Sequence, residues 1–159
     1  MAIVDGQVIL ADDLDDLSSL LGLWSGISTW PRCRAYIATD DSIASGTNNI
    51  TGWSEEYDVG AGFNSATGTY TVPAGQGGRY RITYTVSFPS ASTRRCIQVM
   101  RGAETICSME GPATGFARLS CATTRTLAAG DVLDVQIYAG AATQVRGTVQ
   151  VEVIFERVG

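Results

Sequence analysis

The chain has no histidine and no lysine, and only 17% of its 159 residues are charged. Without histidine, a serine or cysteine nucleophile lacks its usual base, so an enzymatic role is not expected. Four cysteines occur, Cys33, Cys96, Cys107 and Cys121, with no Cys-x-x-Cys spacing. A zinc site is therefore not expected. Asp131 and Asp134 sit outside any dense acidic loop, which leaves calcium weakly supported. Gly75-Gln76-Gly77-Gly78 carries no lysine and opens no strand-to-helix unit. That rules out a phosphate loop and reads as a hairpin turn. No cofactor and no metal are expected. No apolar run reaches the 18 or so residues of a membrane span, and Ala2-Ile3-Val4 leads into Asp5-Gly6 without the basic-then-apolar pattern of a secretory signal. Neither membrane insertion nor signal-dependent export is expected.

Charge is present but unevenly placed. The first thirty residues hold five carboxylates, Asp5, Asp12, Asp13, Asp15 and Asp16, while the remaining acidic groups and arginines are equal in number. The net charge of −5 thus belongs to an N-terminal arm. An acidic arm before a neutral body repels phosphates, so nucleic acid is not an expected partner. Leu14, Leu17 and Leu21 recur at three- and four-residue steps, with Leu10 and Leu20 beside them. The spacing predicts a short helix over 11–21, capped by Asp12 or Asp13 and stopped at Gly22. So short a helix is marginal alone and needs a surface for its leucines: its own body, sister chains or a larger assembly. Trp24, Ile27 and Trp30 add apolar bulk before Pro31, either as contacts or as cover for one end of the same chain. Leu10, Leu14, Leu17, Leu21, Trp24 and Trp30 are the candidate anchoring and oligomer contacts. The arm is set at 1–32 and the body at 33–159.

Beyond Pro31 the periodicity changes from helix to strand. Tyr80, Ile82, Tyr84, Val86 and Phe88 alternate with Arg81, Thr83, Thr85 and Ser87, which predicts a strand with one buried face. Further strands are predicted at Arg34–Thr39, Thr69–Val72, Arg95–Met100, Glu104–Cys107, Gly115–Cys121, Asp131–Tyr138 and Thr148–Val158. Gly46–Asn49 reads as a turn, as does the segment bearing Glu55, Glu56 and Asp58, which are taken as surface charges. Many short strands at regular spacing with no second helix indicate one all-β sandwich or barrel. A two-residue turn at Arg101-Gly102 would set Cys96 opposite Cys107, as a disulfide or as two small half-buried thiols. Arg94, Arg95, Arg101 and Arg118 fall near predicted turns, either solvated or available to acidic envelope glycans.

Two segments carry a family pattern. Gly62-Phe63-Asn64-Ser65-Ala66-Thr67-Gly68-Thr69-Tyr70-Thr71-Val72-Pro73 followed by Gly78 to Val86, with Leu127-Ala128-Ala129-Gly130-Asp131-Val132-Leu133 further on, resembles the globular heads of complement component 1q and the tumour necrosis factor ligands. The resemblance spans roughly Arg34 to the C-terminus. It implies a jelly-roll β-sandwich that assembles as a homotrimer. In this chain Val149, Val151, Val153 and Phe155 stand in the last strand, where that family commonly carries a phenylalanine-glycine pair. Physical reasons support the shared residues: Gly68 suits a positive φ, Tyr70 and Val72 share a face, and Pro73 removes a ladder donor.

The opening Val4-Asp5-Gly6-Gln7-Val8-Ile9-Leu10-Ala11-Asp12-Asp13-Leu14-Asp15-Asp16-Leu17 is similar to the start of many tailed-bacteriophage virion proteins. Together the two resemblances imply a virion surface protein made in the host cytoplasm: a homotrimeric knob held to other virion proteins by its arm. A minor tail or fibre-tip protein touching a host-envelope glycan or protein is the leading expectation. A capsid decoration or minor capsid protein, or a non-viral bacterial ligand-binding module, are the alternatives.

Overall fold

The computed structural model describes residues 2–4, 7–9, 30–89, 93–147 and 151–158. The chain divides into two compact units, Met1–Trp30 and Pro31–Gly159. In the first, β1 (Ala2–Val4) pairs antiparallel with β2 (Gln7–Ile9), Ala2 opposite Ile9. The helix expected over 11–21, and with it Leu10, Leu14, Leu17, Leu21 and Trp24, lies outside the described residues.

The second unit is built of strands alone among the described residues: β3 (Arg32–Ile37), β4 (Asp41–Ile43), β5 (Gly46–Asn49), β6 (Trp53–Val59), β7 (Phe63–Asn64), β8 (Thr69–Thr71), β9 (Gly78–Phe88), β10 (Arg95–Arg101), β11 (Glu104–Gly111), β12 (Ala117–Leu127), β13 (Val132–Ala139), β14 (Thr143–Val145) and β15 (Val151–Arg157). One sheet runs β12-β9-β15-β3-β6. The other runs β11-β10-β13-β8-β7, with β5 also pairing β13, and a short ribbon joins β14 to β4. Sequential strands change sheet at β8 to β9, β9 to β10, β11 to β12 and β12 to β13. This is the two-sheet, Greek-key wiring of a jelly roll.

Alternation explains which side chains meet between the sheets. Tyr80, Ile82, Tyr84, Val86 and Phe88 of β9 are fully buried, as are Val151, Val153 and Phe155 of β15 beside it and Ile97, Val99, Leu133, Val135 and Ile137 of the facing sheet. Each such aliphatic or aromatic side chain contributes roughly 1.5–3 kcal/mol on burial. The aromatic end of the core is ordered around Tyr70, whose ring stacks on Phe155 at 4.4 Å between centroids and meets Tyr80 edge-on at 6.2 Å. Two glycines make that packing possible. Gly68 adopts φ 68° in the turn between β7 and β8, where its N–H donates to Asn64 O at 2.8 Å. Gly62 lies under the Tyr70 ring, and a Cβ there would come within 2.7 Å of it.

Several local expectations need correction. Gly46–Asn49 is a strand, with Asn48 opposite Ile137, and the Asn48 amide donates to Ala44 O and Gly46 O. Trp53–Val59 is likewise a strand and not a turn; it forms the edge beyond β3, with a bulge that leaves Glu56 unpaired between Tyr57 and Glu55. Exposed charge is what an edge strand carries, so the acidic composition hid it. Gly75–Gly78 connects β8 to β9 across the two sheets and is not a hairpin.

The β10–β11 register also differs from expectation. The turn is centred on Gly102-Ala103, since Arg101 faces Glu104, and a bulge follows between Val99 and Met100. Cys96 consequently faces Glu110, and Cys107 faces Val99. Arg95 and Ile97 point inward, so Cys96 lies on the outer side of its sheet while Cys107 shares the inner side with Val99. The predicted Cys96–Cys107 opposition is not formed.

Candidate subunit interface

Most charged groups singled out from the sequence serve the fold. Asp131 closes the turn after Leu127: its carboxylate accepts from Ala128 N–H at 2.9 Å and from Arg101 Nη1 at 2.8 Å. The Ala128 N–H, then Arg101, hold its carboxyl below the usual carboxylate range. Asp58 accepts from Phe63 N–H at 2.8 Å. No metal-binding cluster of three or more His, Cys, Asp or Glu occurs among the described residues. A shallow groove at Ala61, Val72, Pro73, Ala74 and Ala129 has no ionisable side chain in its lining.

Of the four arginines considered for glycan contact, three are engaged within the head. Arg94 makes a two-pronged contact with Glu110 at 2.7 and 2.9 Å and lies over the Tyr138 ring. Arg101 pairs with Glu104 and Asp131. Arg95 is fully buried, donates to Pro112 O at 2.7 Å and Gly115 O at 3.0 Å, and sits over Phe88. Sequence gave no sign of that burial, because an arginine near a turn normally reads as solvated. Arg118 is exposed.

The surface with the composition of an interface is the outer face of the five-stranded sheet. Cys33, Ala35 and Ile37 point into the core, so Arg34 and Tyr36 point out. By the same alternation Glu152, Ile154 and Glu156 of β15, Arg81, Thr83 and Thr85 of β9, and Ser120 and Ala122 of β12 share this face. Register lines them into rows. Arg34, Ile154, Thr83 and Ala122 form one, and Tyr36, Glu152, Thr85 and Ser120 the next.

Two arginines on this face are paired in place, while Arg32, Arg79 and Arg118 toward its margins are exposed. Arg34 donates through Nε and Nη2 to Glu152 Oε2 at 3.0 and 2.9 Å and pairs with Glu56, while Arg81 pairs with Glu156. The Thr85 hydroxyl donates to Ser120 Oγ at 2.9 Å. Tyr36, Thr83 and Ile154 are half-buried, and Thr85 is 8% exposed. Small and apolar side chains at the centre, flanked by compensated ion pairs, suit close approach of a partner. The outer face of the other sheet carries Gln98 and Gln136, hydrogen-bonded at 2.9 Å, with the Arg94–Glu110 pair nearby. Trp30, the one predicted anchoring residue within the described set, is half-buried.

No protein-family model matches the chain, and no curated protein matches it in sequence. Solved structures do match its fold. The PRD1 vertex protein P5 superposes with a TM-score of 0.60 at 17% identity, covering 81% of this chain and 73% of its own. Murine APRIL gives 0.62 at 16% identity over 80% of this chain and 98% of its own. The globular domain of the zebrafish complement 1qA protein gives 0.61 at 16% identity over 81% and 97%. At these identities the likeness is one of fold, and the head is a jelly-roll sandwich of the kind shared by a phage vertex protein, APRIL and a complement 1q head.

Proposed function

We propose that this chain is a structural protein of a tailed-bacteriophage virion: a homotrimeric surface knob that displays its jelly-roll head and attaches to the particle through its N-terminal arm. The outer face of the five-stranded sheet carries this reading. Its row of Arg34, Ile154, Thr83 and Ala122 offers a small-residue, charge-compensated surface, and the two ion-pair groups meet a partner already neutralised. Three copies closing head-to-tail around an axis would bury it on each subunit. The role is one of display and adhesion, with no catalysis.

The position assigned is the tail, as a minor tail or fibre-tip protein that touches a host-envelope glycan or protein. A second reading, a capsid decoration or minor capsid protein, is favoured by one observation: a structural neighbour is a vertex protein. The test is mass spectrometry of purified, intact virions followed by labelling of this chain in particle images. Its presence on the tail tip is expected, and a vertex location selects the capsid reading. Absence from virions defeats both and leaves a bacterial ligand-binding module. Removing residues 1–30 should leave a folded head that no longer attaches; retained attachment would show that the arm is not the anchor.

A further inference from the structure

Cys107 and Cys121 are brought together by the sandwich and not by the sequence. Cys107 stands on β11, the last strand of one sheet, and Cys121 on β12, the last strand of the other. Both side chains face inward: Cys107 is opposite buried Val99, and Cys121, 5% exposed, is opposite buried Tyr84. Their sulfurs are 3.0 Å apart. Closing that gap to a bond of about 2.0 Å requires only ~1 Å of movement. No backbone ladder joins β11 to β12, so the sulfurs meet where no strand pairing ties the two sheets together.

We propose that Cys107 and Cys121 form a redox-controlled disulfide that staples the two sheets at this edge. The two thiols are chemically unequal. Hydrogen bonding between the two thiols, a backbone N–H at Val99 and the charge of Arg125 lower the Cys107 pKa, and the same contact with burial raises that of Cys121. Cys107 is also the more accessible of the pair. Its thiolate therefore attacks a small-molecule disulfide such as oxidised glutathione, forming a mixed disulfide and expelling one glutathione thiolate. Cys121 then loses its proton to solvent and attacks the Cys107 sulfur, forming the Cys107–Cys121 bond and releasing the second glutathione. Two protein thiols are oxidised and one disulfide is reduced to two thiols.

The staple would close the segment that carries the β11–β12 loop. Arg95 already grips that loop through Pro112 O and Gly115 O, and Phe116 on it is 59% exposed. Oxidation thus fixes both ends of a loop that presents an aromatic side chain to solvent. Cys96 is not a competitor on geometric grounds, because it lies on the opposite side of its sheet.

The test uses the full wild-type chain, folded and treated with oxidised glutathione, then acid-quenched, unfolded and alkylated. Two of its four thiols should resist alkylation. Trypsin places each cysteine in a separate peptide, and Gly102–Arg118 should be recovered linked to Leu119–Arg125. The oxidised chain should melt roughly 10 °C above the reduced one. Cys96→Ala should leave all of this unchanged, and Cys107→Ser should abolish the link and the shift. Four alkylatable thiols, a link through the Cys96–Arg101 peptide or between chains, or a linked form that melts no higher than the reduced form would each overturn the proposal.

Discussion

Replacing Gly62 by alanine probes the aromatic end of the core directly. The added Cβ would lie 2.7 Å from Tyr70 Cε2 and 2.7 Å from the Thr71 carbonyl oxygen. Neither neighbour can easily give way. The Tyr70 ring is stacked on Phe155 with a 10° interplanar angle and abuts Tyr80, and Thr71 N–H donates to Gly62 O at 2.7 Å. Overpacking of a closed core costs about 1–3 kcal/mol, and two simultaneous clashes, one with backbone, put this case near about 3 kcal/mol. In urea that lowers the unfolding midpoint by roughly 1–2 M. Gly75→Ala is the control: its φ of 72° disfavours alanine, but nothing lies within 4 Å of the new Cβ. The cost there is about 1 kcal/mol. Both variants should be compared at one protein concentration, since assembly couples to stability. Equal midpoints for the two would refute the packing argument for Gly62.

Other outcomes follow from buried polar groups. The Tyr84 hydroxyl is buried with no hydrogen-bond partner among the described residues. Tyr84→Phe should therefore be neutral or stabilising by about 1 kcal/mol in thermal unfolding, and a loss of that size would reveal a partner. Burial pushes the hydroxyl pKa of Tyr70, Tyr80 and Tyr84 up. The unfolded chain then releases these protons first, so stability should fall as pH rises above about 10, and ultraviolet titration should show these three ionising with unfolding. Simultaneous ionisation of all tyrosines in the folded chain would contradict it. Asp131 has the opposite sign: its lowered pKa gives stability that is complete above about pH 4 and lost as pH falls through the folded value. Asp131→Asn should flatten acid unfolding over that range, and an unchanged acid profile would remove Asp131 from the account.

Strand β9 and the Gly62–Pro73 segment were legible because burial on one face writes itself into alternation. Tyr80 to Phe88 repeat every second residue, and Gly68 announces its turn. Segments that answer to other constraints were not legible. β5 and β6 are polar or acidic because they lie at sheet margins, so neither Asn48 nor Glu55 distinguishes a strand from a loop. Arg95 is buried through carbonyls contributed by a distant loop, which local sequence does not specify. The cysteine pairing failed for a stricter reason. Moving a turn by one residue and adding one bulge shifts every opposed pair, and contacts between sheets such as Cys107 with Cys121 have no sequence period at all. The candidate interface was only half visible: Arg81, Thr83 and Thr85 read as the outward face of β9, but the rows through Ile154 and Arg34 required the strand order.

Sedimentation equilibrium of the purified full chain at micromolar concentration tests the central claim of a trimeric display head. A single species at three times the 16.8 kDa chain mass is expected, reduced to the chain mass by Ile154→Arg at the centre of the proposed interface. A stable wild-type monomer would contradict it.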